Sequence, residues 1–195
     1  GSSMHIHTSV IETAGGRNIF AREDGENSDE LLWFIGGLQK YLPRVMPLLA
    51  PYVNSYRRYV AYSSAPQNFH WGVDNRTTGL RMPLSTPQAR RIENRVAGAD
   101  ANPYLAMAAT LACGWLGLEE KVEPAAAVEG NAYGMSRALP RHLEDALGRL
   151  ERCKELQDVL GERFVDVLVD VKEAEYDAYQ NVISPWEREN LLLNV

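Results

Sequence analysis

The sequence predicts an α+β protein, on three observations about its patterning. The first ten residues alternate between polar and apolar side chains, as a half-buried strand does. Residues 52–96 are rich in the aromatic and β-branched side chains that favour short strands. Residues 102–195 repeat apolar side chains largely at helical spacing. We therefore predict antiparallel strands from residues 1–10 and 52–96, packed by helices from residues 28–50 and 102–195.

The first predicted strand has two different faces. Its alternation places His5, His7 and Ser9 on one face and apolar or small residues on the other. Residues 11–27 lack periodicity and are rich in Gly, Asn, Asp and Glu, so they predict a loop.

The first helix is predicted to begin after Ser28, a residue type that caps helix N-termini. Asp29 and Glu30 would lie in its first turn, where acidic side chains interact favourably with the helix dipole. Because Pro43 cannot continue a helix, the predicted length is about 15 residues.

The C-terminal half predicts further helices. Asn102, followed by proline, marks a helix start, and the small apolar residues that continue to Leu116 predict a deeply buried helix. Apolar spacing predicts two amphipathic helices over residues 143–156 and 164–174. Ser184–Glu187 has the pattern of a capping box with proline at the first helical position, which predicts a last short helix.

Composition limits the class of protein. The 195 residues are 45% hydrophobic and 24% charged, which excludes a disordered chain and suggests one domain. No apolar run reaches the roughly 18 residues that span a bilayer, so no membrane association is expected. Cys113 and Cys153 lie in apolar helical patterns, and we interpret them as reduced core thiols of a cytoplasmic protein.

Charge is unevenly distributed along the chain. The net charge is -6, yet residues 54–95 contain seven arginines and only two acidic residues. Arginine matches carboxylate and phosphate oxygens in two-point contacts, so a small anionic ligand is predicted. The overall acidity and the lack of a recognised binding motif argue against nucleic acid. Arg57 and Arg90 are expected to lie on a solvated face.

Arg91–Arg95 is the most informative segment for chemistry. On a strand, Arg91, Glu93 and Arg95 would project from one face. Such a face is either a surface ladder of salt bridges or a site for an anion and a metal, because buried charges must be paired. The pattern alone leaves both alternatives open.

The His5 and His7 pair leaves a similar choice. Strand-spaced histidines can contact a metal or a phosphate, but exposed or satisfied histidines are more common. The sequence has no Walker loop and no G-x-G-x-x-G motif, so any nucleotide would be held by strands and arginines.

Five segments resemble motifs of the glutamine synthetase family, in the family's order and with similar spacing. GSSMHIHTS resembles N-G-S-G-M-H-x-H-x-S, NSYRR resembles N-S-Y-K-R, and NRTTGLRMP resembles N-R-S-A-x-x-R-x-P. ARRIENR resembles A-R-R-I-E-x-R, and ADANPYLAMAA resembles the helix that follows it. The resemblance implies that residues 1–195 form the C-terminal part of a glutamine synthetase catalytic domain. The family's N-terminal β-grasp domain and first catalytic strands are not matched.

The resemblance implies an ATP-dependent reaction in which the γ-phosphate passes to the side-chain carboxylate of glutamate and an amine then displaces it. Mg²⁺ or Mn²⁺ is the implied cofactor, and arginines would neutralise the phosphate oxygens. The resemblance implies that the metal ligands are His5 and Glu93 and that the glutamate contacts are Gly1, Arg58 and Arg95. It implies that the ATP contacts are His7, Ser9, Arg76 and Arg91. The implied catalytic residues are Arg76 and Arg81.

Ser64 departs from the family pattern. The family's P-G-Y-E-A-P segment contains a glutamate that helps to deprotonate ammonium, and Ser64 stands in its place. Serine cannot accept a proton at neutral pH, so the resemblance favours a γ-glutamyl-amine ligase of the γ-glutamylpolyamine synthetase kind over an ammonium-using glutamine synthetase. Phe69 and Trp71 could offer an aromatic surface to the amine or could simply be core residues. Tyr133 lies near the family's adenylylated tyrosine, but its neighbours differ.

Assembly and activity are predicted from the same resemblance. A sheet that lacks its neighbouring strands exposes an edge, so a homo-oligomer is expected. Because His5 and Glu93 are only part of a metal shell, the isolated 195-residue chain is expected to be inactive. A non-catalytic structural relative is the alternative of another class, and the retained set of charged residues argues against it.

Overall fold

The computed structural model describes residues 2–60 and 62–193. Gly1, a predicted glutamate contact, lies outside the described residues. The strands are β1 (Ile6–Thr8), β2 (Trp71–Val73), β3 (Leu80–Met82) and β4 (Ile92–Asn94). The helices are α1 (Asp29–Tyr41), α2 (Met46–Leu49), α3 (Pro103–Glu120), α4 (Leu143–Glu151), α5 (Lys154–Leu160), α6 (Glu162–Gln180) and α7 (Pro185–Asn190). The predicted α+β class is confirmed.

The four strands form one sheet in the order β1, β4, β3, β2. β4 pairs antiparallel with both β1 and β3, as predicted. β2 pairs parallel with β3, which the prediction of antiparallel strands did not include. The chain between them folds back tightly at Asp74, which has a φ of 48°, and at Asn75, whose side chain accepts hydrogen bonds from Thr77. This short loop between β2 and β3 takes the place of the longer crossover connection that parallel strands usually need.

β1 is shorter than the predicted ten-residue strand, but its two faces are as predicted. Thr8 is buried, and Met4 and Ile6 pack against the core from the same side. His5 and His7 are exposed on the opposite face. Within the described residues, no strand pairs with the outer edge of β1.

The segment Val53–Arg58 forms a 3-10 helix where a strand or turn was predicted. Its first turn closes because the backbone N–H of Tyr52 donates to the Ser55 hydroxyl, which in turn donates to Asp100 at 2.6 Å. These local hydrogen bonds satisfy the backbone without a neighbouring strand. The strand propensity of the tyrosine and valine residues is therefore overridden.

α1 begins as predicted, with the Ser28 hydroxyl accepting from the backbone N–H of Leu31 at 3.2 Å. α1 packs closely against α3 because two glycines meet at their crossing. A Cβ at Gly37 would lie 2.5 Å from the Cα of Gly117, and a Cβ at Gly117 would lie 2.2 Å from the Trp33 carbonyl oxygen. Only glycine allows the two backbones to approach this closely.

The prediction that α3 is deeply buried was only half correct. Cys113 and the small residues around it are buried against α1. The opposite face exposes four large side chains, Tyr104, Met107, Leu111 and Trp115. The helix is apolar all round because of its sequence, but the described residues cover only one of its sides.

Three helices, α4, α5 and α6, occupy the region for which two amphipathic helices were predicted. The chain breaks between α4 and α5 at Cys153 and between α5 and α6 at Gly161, whose φ is 96°. Both cysteines are free and buried, as predicted. The capping box at Ser184 starts α7, also as predicted. Among the described residues, no helix is both long enough and apolar enough to cross a membrane.

The glycine contact between α1 and α3 generates a stability prediction. We expect Gly117→Ala to lower the free energy of unfolding of the 195-residue chain by about 3 kcal/mol, because the added methyl group meets backbone atoms that cannot move aside. Urea denaturation followed by circular dichroism measures the change.

Gly148→Ala in α4 is the matched control. A Cβ there meets only the flexible Arg152 guanidinium, at 3.1 Å. Alanine is a better helix former than glycine, so this variant should be unchanged or more stable by about 0.5–1 kcal/mol. A Gly117→Ala variant as stable as the parent sequence would contradict the close contact.

Candidate active site

The buried carboxylate of Glu93 lies at the centre of the candidate site. Glu93 is on β4, opposite Arg81 of β3 and His7 of β1 in the strand register. Its side chain is only 3% exposed. Arg81 donates to Oε2 at 2.8 Å and Arg95 donates to Oε1 at 3.1 Å. Glu93 is thus an ionised carboxylate held between two guanidinium groups below the surface, so the alternative of a surface salt-bridge ladder is wrong.

Burial and neighbouring charges shift the pKa values of the ionisable groups in this cluster. Burial by itself would raise the pKa of Glu93, but the hydrogen bond from Arg81 and the charges of Arg95 and His5 outweigh it and hold that pKa below its ordinary value. The bond to Glu93 raises the pKa of Arg81. Burial, together with the charge of Arg95, lowers the pKa of His5, which favours a neutral imidazole.

The histidines of β1 face the same carboxylate. His5 Nδ1 lies 2.9 Å from Glu93 Oε1, and His7 Nε2 lies 3.7 Å from the same oxygen. Arg91 contacts the other ring nitrogen of His7, at 3.3 Å. The strand alternation predicted this shared face from the sequence.

These side chains open onto a cavity of about 420 Å³. Its lining residues are His5, Ser64, Arg76, Thr77, Arg81, Glu93, Arg95 and Tyr133. A smaller adjoining cavity of about 100 Å³ is lined by Arg58 and by Ser64, which the two cavities share. The cationic segment therefore surrounds a polar cavity large enough for a small anionic molecule.

Arg95 lines this cavity and is itself buried. Its side chain is 7% exposed, and its Nε has no hydrogen-bond partner within the described part of the chain. Nη2 donates to the Arg76 carbonyl at 3.3 Å, which fixes the guanidinium plane. The Arg95 guanidinium therefore lines the cavity in an orientation that Glu93 and the Arg76 carbonyl hold.

Not every predicted site residue lies at this cavity. Ser9 is exposed just beyond β1 and does not line it. Arg91 is half-buried and contacts His7 and the Ala89 carbonyl. Arg57 is exposed, as expected, but Arg90 is half-buried and donates to the Gly25 carbonyl, so its assignment to a solvated face was wrong. Arg90 holds a loop in place instead.

The structure also decides between the two interpretations of Phe69 and Trp71. Phe69 and Trp71 are 4% and 7% exposed and belong to the hydrophobic core. Tyr133 lines the cavity instead, although the sequence analysis assigned it no role there. No local pattern could have identified Tyr133, because it lies 69 residues from Ser64 and the two are brought together only by the tertiary fold.

The donor set fits part of the coordination shell of Mg²⁺ or Mn²⁺. His5 and Glu93 provide one nitrogen and one carboxylate close together. Within residues 2–60 and 62–193, no group of three or more His, Cys, Asp or Glu side chains could hold a metal ion. Since both metals prefer about six ligands, mostly oxygen, His5 and Glu93 would fill only part of such a shell.

Comparisons with known proteins show the family to which the chain belongs. Residues 1–191 match the family model of the glutamine synthetase catalytic domain. The chain belongs to the glutamine synthetase family. Gamma-glutamylputrescine synthetase PuuA of Escherichia coli is 40% identical over 195 residues, which is 100% of this chain and 41% of that protein. Glutamine synthetase of Thermococcus kodakarensis is 38% identical over 193 residues, covering 94% of this chain and 43% of that protein.

Solved structures of the family have the same fold. The GmaS/ADP complex superposes with a TM-score of 0.86 at 31% identity, covering 98% of this chain and 46% of that one. GmaS without ligand gives a TM-score of 0.85 at 33% identity, covering 98% of this chain and 45% of that one. The chain thus spans less than half the length of these relatives and represents part of a glutamine synthetase catalytic domain.

The buried cluster generates a second prediction. We expect Glu93→Gln to lower the free energy of unfolding of the 195-residue chain by about 3 kcal/mol. Within the described residues, the buried Arg95 would lose its carboxylate partner, and Arg81 would keep only the exposed Asp74. Glutamine has nearly the same shape, so no cavity contributes. Urea denaturation at neutral pH measures the difference.

Asp145→Asn provides the matched control. Asp145 pairs with Arg149 at 2.9 Å, but Asp145 is 43% exposed and Arg149 35%, so its removal should cost less than about 0.5 kcal/mol. Equal effects of the two substitutions would show that the Glu93 carboxylate is not buried among charges.

Proposed function

We propose that the full-length parent of this chain is an ATP-dependent ligase that joins the γ-carboxylate of glutamate to an amine. The observation that carries the proposal is the cavity lined by Arg76, Arg81 and Arg95 around the buried Glu93. Three guanidinium groups at one cavity suit a reaction in which charge develops on carboxylate and phosphoryl oxygens. Membership of the glutamine synthetase family supports this class of reaction.

The proposed roles follow the positions of the side chains. Arg95, which lines this cavity, and Arg58, in the adjoining cavity, would bind the glutamate carboxylates. Arg76 and Arg81 would stabilise the transferring phosphoryl group, and Arg76 would also contact ATP. His7, Ser9 and Arg91 lie outside the lining of this cavity, and they remain proposed ATP contacts on the strength of the sequence resemblance alone.

The proposed reaction has two steps. First, a glutamate γ-carboxylate oxygen attacks the γ-phosphorus of ATP, and the bond from that phosphorus to the bridging oxygen breaks to release ADP. Next, the amine nitrogen attacks the γ-glutamyl carbon, the carbon–oxygen bond to phosphate breaks, and phosphate leaves with the electron pair. The amine proton passes to a base or to water. Arginines act by holding and neutralising the oxygens, and they transfer no protons.

A divalent cation would be held by His5 and Glu93, and it would supply further positive charge for the phosphate oxygens. Because this chain provides only these two ligands within its described residues, we infer that the isolated chain is inactive. The open edge at β1 supports a homo-oligomer of the parent. The buried free cysteines suit a reducing compartment such as the cytoplasm.

The acceptor is proposed to be an alkylamine, with ammonium as the alternative. Ser64 lines the cavity and has no carboxylate with which to take a proton from ammonium. A relative that is 40% identical over the whole chain is named gamma-glutamylputrescine synthetase. Glutamine synthetases of similar identity support the ammonium alternative.

The first test measures ligation by the full-length parent with ATP, Mg²⁺, glutamate and either putrescine or ammonium. Phosphate release and mass spectrometry of the γ-glutamyl amide should show putrescine preferred in kcat/KM. Arg76→Ala should lower kcat/KM by about 10²-fold, the usual cost of removing one charge-stabilising donor. Arg57→Ala, another exposed arginine, should change kcat/KM by less than about threefold. A full-length parent that neither binds ATP nor ligates either amine would favour the alternative of a non-catalytic relative.

The second test introduces the missing carboxylate. Ser64→Glu should shift the ratio of kcat/KM values toward ammonium by about tenfold, because a carboxylate near the acyl phosphate can accept the ammonium proton. Ser64→Gln is the control: both variants place a long side chain at a residue whose φ is 63°, so they share any backbone strain. Equal ratios in the two variants would contradict the role given to Ser64.

A further inference from the structure

Two tyrosines from distant parts of the chain meet at the rim of the cavity. The ring centroids of Tyr62 and Tyr133 lie 5.3 Å apart, with their planes inclined by 48°. Tyr133 lines the cavity, and Tyr62 is two residues from Ser64, which also lines it. Tyr62 is 74% exposed, so its ring is not part of the hydrophobic core. The pair is an aromatic surface directed at solvent beside the candidate site.

Tyr133 is held firmly to the segment that carries Arg76. The Asn131 side chain accepts from the backbone N–H of Tyr133 at 2.9 Å. The backbone N–H of Ala132 donates to the Thr77 hydroxyl at 2.8 Å, and Ala132 itself is fully buried. A tyrosine on so fixed a backbone can provide a positioned surface instead of a mobile one.

Tyr62 has an unusual backbone conformation. Its φ is 61°, and that of Ser64 is 63°, both in the left-handed region that non-glycine residues seldom occupy. Each such residue costs of order 1 kcal/mol or more and persists only where the surroundings impose it. Here the conformation brings the Tyr62 ring against Tyr133 and brings Ser64 to the wall of the cavity.

Charge divides the cavity into two parts. Arginines 76, 81 and 95 leave one part with a net positive charge. Glu93 is the one carboxylate in the lining within the described residues, and it is already paired with Arg81 and Arg95; Arg81 also pairs with Asp74. A cationic group would be repelled there. The faces of tyrosine rings carry partial negative charge and attract cations, so the rim is the part of this cavity that suits a cationic group.

We propose that Tyr62 and Tyr133 form the subsite for the non-reacting end of the acceptor, and that this acceptor is a diamine whose distal nitrogen stays protonated. This inference rests on the proposed function, which supplies an amine acceptor. The reacting nitrogen must be neutral to attack, whereas the distal ammonium group can rest on the tyrosine faces. The carbon chain of the diamine would connect the two nitrogens within the cavity.

The test compares putrescine, butylamine and ammonium as acceptors for the full-length parent and its variants. Tyr133→Ala and Tyr62→Ala should each raise the KM for putrescine about tenfold with little change in kcat, and should leave ammonium kinetics within twofold. Tyr133→Phe should retain the parental KM because the ring face is kept. Tyr133→Leu should lose the preference for putrescine over butylamine, since leucine offers apolar area without a π face.

Tyr179→Ala is the matched control, since Tyr179 is exposed on α6, pairs with Tyr176 at a ring-centroid distance of 6.2 Å and lies outside the cavity lining. It should leave all three acceptors unaffected. A parent that ligates diamines, with variants at Tyr62 and Tyr133 that keep its selectivity, would overturn the subsite and leave the proposed function intact. A parent that forms no γ-glutamyl amide with any amine would instead overturn the proposed function.

Discussion

The burial of the Glu93 carboxylate is the constraint on which the site depends. A carboxylate that is 3% exposed must be compensated by nearby positive charge, and here the compensation comes from neighbouring strands. Arg81 comes from β3, Arg95 follows β4 directly, and His5 precedes β1. Any slip of one residue in the strand register would turn these side chains to opposite faces of the sheet. The charged cluster therefore forms only in this strand register, and its ion pairs in turn favour that register.

The helices keep this sheet in place without contributing to its chemistry. α1 and α3 approach so closely at Gly37 and Gly117 that they form a rigid layer. That layer is connected to the sheet by buried polar contacts, such as the bond from Asn94 of β4 to the Thr110 hydroxyl of α3, at 3.1 Å. A buried side-chain bond of this kind fixes the position of a strand relative to a helix more specifically than apolar packing does. The site is thus supported from behind by ordered structure.

The front of the cavity is built differently. It consists of loops: the segment around Ser64, with its left-handed residues, and the short turn that carries Tyr133. Positive φ values in residues other than glycine are imposed by the surroundings and tend to occur where function requires a particular geometry. The cavity thus has arginines on the side supported by the sheet and two tyrosines at its rim. The uncovered face of α3 suits a chain that spans less than half the length of its relatives.

Much of the local structure and the chemistry of the site was determined by the sequence alone. Alternation placed His5 and His7 on one face, and the caps at Ser28 and Ser184 started their helices, because these features depend only on neighbouring residues. The family resemblance predicted the Arg81–Glu93–Arg95 group. The parallel pairing of β2 with β3, the burial of Trp71 and the meeting of Tyr62 with Tyr133 were decided by the tertiary structure. Each depends on residues far apart in the chain, whose contact is set by packing and not by local propensity.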